Sequence, residues 1–153
     1  MLGFIAGGVT RGLLVGMSVA IAFVAMPGVT VNIHSVWPIV YFALSATVML
    51  SLAGIMTGIW ADKFDHSSTV TNFVIAPLTL LSGTFYSIER LDPIYQTASQ
   101  LNPFFYMIDG FRYGFIGQAD SDLQTGVIYI LVMNIVLAFA TFRMLASGYK
   151  LKA

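Results

Sequence analysis

Cysteine is absent from the 153 residues, which excludes disulfides, thiolate metal sites and cysteine nucleophiles. The absence identifies no compartment, because helices packed in a membrane need no covalent staples. Charge is the next scarcity. Seven basic and seven acidic residues make up 9% of the chain, whereas a water-soluble domain carries about 25%. So few charges cannot cover a water-facing surface, and much of the chain therefore faces lipid. The net charge is zero, with no basic patch to hold nucleic acid and no acidic tail. No Gly-x-x-x-x-Gly-Lys-Ser/Thr stretch occurs, so the chain does not bind ATP through a P-loop.

Groups for catalysis or metal binding are equally sparse. The two histidines, His34 and His66, flank the run 37–60 from opposite sides and lie about 36 Å apart along a helix of that length. They cannot share a site; both read as loop residues, and no metal or catalytic centre is expected. Asp62, Asp65, Glu89, Asp92, Asp109, Asp120 and Asp122 all map outside the apolar runs. A proton-coupled carrier needs an ionisable group at depth, and none is expected here. A membrane-embedded enzyme would need an acid, base or nucleophile constellation that the runs lack.

What the chain has is apolar residues, 58% of the total, gathered into runs. Residues 37–60 hold no Asp, Glu, Lys, Arg or His. A bilayer core of about 30 Å needs roughly 20 helical residues. Trp37, Tyr41 and Trp60 mark the ends of this run at headgroup level. Residues 2–26 are interrupted only by Arg11. A central Arg costs about 2.5–3.5 kcal/mol on the insertion scale, against roughly −3 to −7 kcal/mol summed over eleven Leu, Ile, Phe and Val residues. Insertion wins, and Arg11 lies towards one end, where its stem can snorkel. A secretory signal peptide is the rival reading, weakened by the lack of a positive segment ahead of the run. A third run, 70–88, and a fourth, 123–146, complete an all-α membrane fold. Its four spans are expected at about 3–26, 37–60, 70–88 and 123–146, in one domain covering 1–153.

Between the last two spans, residues 91–118 carry Pro93, Pro103 and the aromatic cluster Phe104, Phe105, Tyr106, Phe111, Tyr113 and Phe115. The break at Asn102-Pro103 and the charges of Asp109 and Arg112 argue against spanning. Two short helices lying on or dipping into the membrane fit better, with Asp109 and Arg112 spaced to pair on one face. Four spans place both termini on one side with Arg11, Lys63, Arg143, Lys150 and Lys152, leaving Arg90 and Arg112 on the other. The former side is the cytoplasm by the positive-inside rule, and the hairpin is external.

The third span is unusually polar. Thr71, Asn72, Thr79, Ser82 and Thr84 surround Pro77, whose missing N–H and bulky ring disturb the carbonyl of Phe73. These residues are the expected lining of a polar pathway; the alternative is that they bond between helices. Gly8, Gly12 and Gly16, and likewise Gly54 and Gly58, recur at intervals of four and allow close helix approach, within the bundle or between subunits.

Several stretches taken together resemble the membrane subunit of type-2 ATP-binding-cassette exporters. They are Gly7-Gly8-Val9-Thr10-Arg11-Gly12-Leu13, Phe64-Asp65, Asn72-Phe73-Val74-Ile75-Ala76-Pro77-Leu78-Thr79 and Ser82-Gly83-Thr84-Phe85-Tyr86-Ser87, followed by Leu101-Asn102-Pro103 and Gly110-Phe111-Arg112-Tyr113-Gly114-Phe115. The nearest branch contains nodulation-factor and lipid or polysaccharide exporters. The resemblance implies the third to sixth spans of a six-span, dimerising permease in a bacterial inner membrane. It also implies a separate ATPase subunit that binds ATP-Mg, this chain holding no cofactor itself. Asp62, Lys63, Phe64 and Asp65, in a cytoplasmic loop at 61–69, would contact that ATPase, and Asn102, Pro103, Asp109 and Arg112 belong to the hairpin that helps close the exit. The substrate class implied is amphipathic, lipid-linked or glycan-type. The family's amphipathic helix, first two spans and first coupling loop are expected ahead of the part seen here. The competing expectation is a truncated permease acting as a non-transporting membrane interaction protein.

Overall fold

The structure, a computed structural model, describes residues 1–27, 32–61, 63–83 and 92–148. Helices α1 (Leu2–Ala25), α2 (Val36–Trp60) and α7 (Leu123–Ala146) are each long and apolar enough to cross a membrane. They coincide with three of the four expected spans. Their limits have local causes. Pro27 holds Met26 in extended backbone and ends α1. Asp122 accepts from the Thr125 N–H at 2.9 Å and caps the start of α7.

The helical stretch in place of the expected third span departs from expectation. It starts at Phe64 rather than at residue 70, and runs through α3 (Phe64–Val70), a π-helical turn (Thr71–Ile75) and α4 (Ala76–Leu80). Residues 64–69, expected in a loop, are therefore helical, and so is His66. The polarity of Asp65 and His66 suggested a loop, but an acidic side chain in a first turn suits the positive end of the helix dipole. The helix ends at Leu80 and a turn follows at 81–83, with Gly83 at φ 74°; the rest of the expected span, 84–88, lies outside the described residues. Thr84 and Asp62 lie outside the described residues. Helices α5 (Pro93–Gln100) and α6 (Pro103–Ile116) form the expected pair, each opened by proline at its first position. No strand occurs among the described residues.

Helix α2 is the spine, contacting α1, α6 and α7. It runs antiparallel to α1: Gly8 faces Ser51 and Gly12 faces Thr47. It runs parallel to α7, because the Tyr41 hydroxyl donates to Val127 O at 2.9 Å and Asn134 Nδ2 donates to Ser45 O at 3.3 Å. Two parallel helices require the chain between them to return, and the 64–80 stretch makes that return. Its start lies near Trp60, whose ring sits 5.5 Å from that of His66. Its end meets the α5–α6 elbow, where Leu78 O accepts from Asn102. Met1, Gly58 and Leu145 line one apolar cleft of about 440 Å³, so both ends of the described chain lie at the same end of the bundle. Of the recurrent glycines, only Gly8 and Gly12 make a close helix contact; a Cβ on Gly16, Gly54 or Gly58 would meet nothing.

The core lies among α2, α6 and α7, built from Phe42, Met49, Phe105, Tyr106, Met107 and Ile130. Helix α6 is thus part of the packed core of the protein. Phe105, Tyr106, Met107, Asp109, Gly110 and Gly114 are all buried. Gly110 lets the Phe42 ring rest on the backbone of α6, and Gly114 brings that backbone against Ile39 and Ser35 O. Most large side chains of α1 and α7 remain exposed, as expected where hydrocarbon is the solvent.

Candidate functional site

Hydroxyls within the long helices are answered locally. Thr10, Ser18, Ser51, Thr57 and Thr141 each donate to the carbonyl four residues back. This back-bonding removes the cost of a bare hydroxyl in lipid. The 64–80 stretch does the same with Thr71 to Ser67 O at 3.1 Å and Thr79 to Ile75 O at 2.8 Å, and in the turn beyond it Ser82 donates to Thr79 O, three residues back. Asn72 has a longer amide that such a bond does not absorb. Thr71, Asn72, Phe73 and Val74 are exposed, Pro77 likewise, while Thr79 is half-buried and Ser82 buried. Of the predicted pathway residues, Thr71, Asn72, Pro77 and Thr79 share this helical stretch and Ser82 lies in the turn after it, so the described ones divide between an exposed middle and a buried end.

The break in that helix has two parts. Ala76 N–H donates to Thr71 O, five residues back, which makes the π-helical turn. Phe73, whose carbonyl the Pro77 ring would strike in a regular α-helix, lies inside this wider turn. The extra residue moves that carbonyl off the ring. Beyond it Pro77 acts as a helix start, and Leu81 N–H closes back on Pro77 O at 3.0 Å.

At the hairpin end, Asn102 is 2% exposed. Its Oδ1 accepts from Phe104 N–H at 3.0 Å and caps α6, while its Nδ2 donates to Leu78 O at 2.5 Å. Leu101 O accepts from the Tyr129 hydroxyl at 2.7 Å. Residues 34 and 35 are tied to the other end of α6, both backbone N–H groups donating to Gly114 O at 2.9 Å. Gly117, at φ 75°, ends α6 in left-handed backbone under the His34 ring. His34 is a packing group here, edge-on to Tyr113 at 5.6 Å.

Asp109, outside the three long apolar helices as expected, is the buried carboxylate of the hairpin. It is 2% exposed on α6 and fully engaged. Arg112 donates to Oδ1 at 2.6 Å and Asp120 N–H to the same oxygen at 2.9 Å. Ser121 N–H and Oγ–H donate to Oδ2 at 2.9 and 2.7 Å. The i,i+3 pairing of Asp109 with Arg112 thus forms as its spacing implied, and Arg112 also meets Asp120 at 2.9 Å. Burial opposes the charge on Arg112, but hydrogen bonds and attraction from Asp120 and Asp109 outweigh it and raise the guanidinium pKa above its ordinary value. The cluster staples α6 to the loop entering α7. Sequence spacing pointed to the pair but not to Asp120 or Ser121, which meet Asp109 only across the Gly117 turn.

Asp122 is held below its ordinary value of 3.8 by the Thr125 N–H and hydroxyl. A depressed carboxylate contributes its cap fully above that ordinary value and loses it as pH falls through the lower folded one. Protection of the first-turn amides of α7, measured as exchange relative to the intrinsic rate at each pH, should therefore fall below pH 3.8 and not in Asp122→Asn, which caps without titrating. The Asp122-x-x-Thr125 pattern is a helix-start signature readable from sequence.

A helical bundle with three helices long and apolar enough to cross a membrane, and a proline-broken polar helix beside a packed aromatic hairpin, has the architecture of a multi-pass membrane protein. The chain belongs to the ABC-2 type transporter family, which it matches over residues 1–116. It is 45% identical over 139 residues to the inner membrane transport permease YadH of Escherichia coli K12, covering 88% of this chain and 53% of that protein. It is 26% identical over 136 residues to Nodulation protein J of Rhizobium leguminosarum bv. trifolii, covering 86% and 51%. To Nodulation protein J of Neorhizobium galegae it is 30% identical over 104 residues, 68% and 38%. The chain spans about half the length of the curated relatives it matches. No solved structure matches it.

Proposed function

We propose that this chain is the membrane-spanning permease part of an ATP-driven exporter in a bacterial inner membrane, moving an amphipathic, lipid-linked or glycan-type substrate. The 64–80 stretch serves as a fourth span. Its 17 residues reach about 25 Å, and the turn beyond it completes the crossing. Both ends of the chain are cytoplasmic, the side favoured by Arg11, Lys63 and Arg143, and the hairpin faces outward. Lys63, Phe64 and Asp65, with Asp62, receive force from a separate ATPase subunit that carries ATP-Mg, and a second permease copy completes the unit.

One observation carries this reading: exposed Asn72 and Thr71 sit in a π-helical turn directly ahead of Pro77. An amide facing hydrocarbon is costly, and polar side chains in spans face bundle interiors or water-filled cavities. A face of this helix therefore borders a polar route completed by other subunits or segments. The hydrogen-bonding irregularity also supplies a place where the helix bends under load. Pro77→Leu restores the N–H and stabilises the regular helix by up to about 3 kcal/mol. Membrane insertion should persist while substrate efflux from vesicles containing the partner ATPase falls. Unchanged efflux from correctly inserted Pro77→Leu protein would remove the pathway role.

A further inference from the structure

We propose that Asn102 is a positioning residue that locks the end of the 64–80 helix to the hairpin, so that the two move as one unit. The inference rests on the permease reading for its purpose, but the lock itself is a matter of hydrogen-bond supply. In a regular helix Leu78 O would accept from Ser82 N–H; here that N–H turns to Thr79 O at 3.3 Å and Leu81 N–H goes to Pro77 O. The Leu78 carbonyl is left at the helix end as an acceptor without its usual donor. Asn102 Nδ2 fills that position, while Oδ1 of the same amide caps α6. One planar side chain thus joins the C-terminus of one helix to the N-terminus of another.

The residue type follows from this double duty. The job needs a donor and an acceptor on one short, rigid group, and asparagine supplies both. Aspartate keeps the cap and loses the donor, and serine keeps an acceptor but lacks the reach. Burial of Asn102 makes the loss matter, because the carbonyl of half-buried Leu78, deprived of its partner, must find another. The elbow is anchored on its other side by Tyr129 to Leu101 O. A displacement of the 64–80 helix at its Lys63 end would therefore reach the hairpin through Asn102, and the elbow would pivot against α7.

The lack of cysteine makes this testable by labelling. Leu80→Cys and Gln100→Cys place two spin labels at exposed positions on either side of the lock. Pulsed electron paramagnetic resonance on the full chain in lipid nanodiscs should give one narrow distance distribution with Asn102 intact. In Asn102→Ser and Asn102→Asp it should broaden and shift outward, while circular dichroism shows unchanged helix content. The serine variant guards against aspartate failing to fold through its buried charge. An unchanged narrow distribution in folded Asn102→Ser, or a broad one with Asn102 intact, overturns the lock. Because the readout is a distance, its failure is separate from that of the permease reading, which the Pro77→Leu efflux measurement judges.

Discussion

Asp109→Ala should be among the most destabilising single changes in this chain, lowering stability in mixed micelles by roughly 3 kcal/mol. Breaking a buried pair by removing one partner costs about 3–5 kcal/mol, and the lower end applies because Arg112 is 30% exposed and water screens it. The loss is not simply that of an ion pair. Asp120 N–H, Ser121 N–H and the Ser121 hydroxyl lose their acceptor at the same moment, and the Arg112 guanidinium keeps only Asp120. Arg112→Ala should cost less, about 1–2 kcal/mol, because Asp109 retains its two backbone donors and a hydroxyl. Reversible unfolding of the two variants compared with the unaltered chain measures both numbers. Equal losses would show that the backbone donors add nothing and that the cluster is only a surface-like salt bridge.

Gly110→Val is the second large effect, expected to cost about 1–3 kcal/mol, near the top of that range. A Cβ at this position would sit 2.1–2.5 Å from three atoms of the Phe42 ring. Phe42 is 1% exposed and cannot swing away; Gly126 lies close on the α7 side, where a Cβ would come within 3.6 Å of the same ring. Either the ring leaves its rotamer or α6 moves off α2, and the second also strains the His34 and Ser35 bonds to Gly114 O. Gly54→Ala is the internal control. A Cβ there meets nothing, so the change should be neutral or gain up to about 1 kcal/mol from helix propensity. The same unfolding measurement separates the two glycines. If Gly110→Val proved as harmless as Gly54→Ala, close packing of α6 on α2 would not be what seats the hairpin.

These two positions also show which parts of the molecule could be read in advance. The glycine spacing in the long runs was visible, but spacing alone did not distinguish Gly8 and Gly12, where a Cβ would strike α2, from Gly16, Gly54 and Gly58, where it would meet nothing. Gly110 and Gly114, whose lack of a Cβ the packing uses most, sat in a segment whose charges and prolines suggested a surface position. Asp109 argued against that segment spanning the membrane, and said nothing of its packing within the protein. In the structure its charge is answered by donors from residues 112, 120 and 121, so the same residue fastens the helix inside. The Asp65 and His66 pair misled in the opposite sense, suggesting a loop where the helix had already begun.

The amino-acid sequence determined by itself that hydrocarbon solvates most of this protein, where three long helices lie, that a proline-broken polar helix follows the second, and that the Asn102-Pro103 step divides a hairpin. Each of these depends on transfer free energies and backbone constraints that act over neighbouring residues and need no partner. Only the tertiary structure decided that α6 is the most buried helix, that Asp109 is enclosed, and that Asn102 reaches back to Leu78. Those outcomes depend on which acceptors remain unpaired where helices stop, and on which surfaces meet after the chain has turned, quantities that have no value until distant segments are in place.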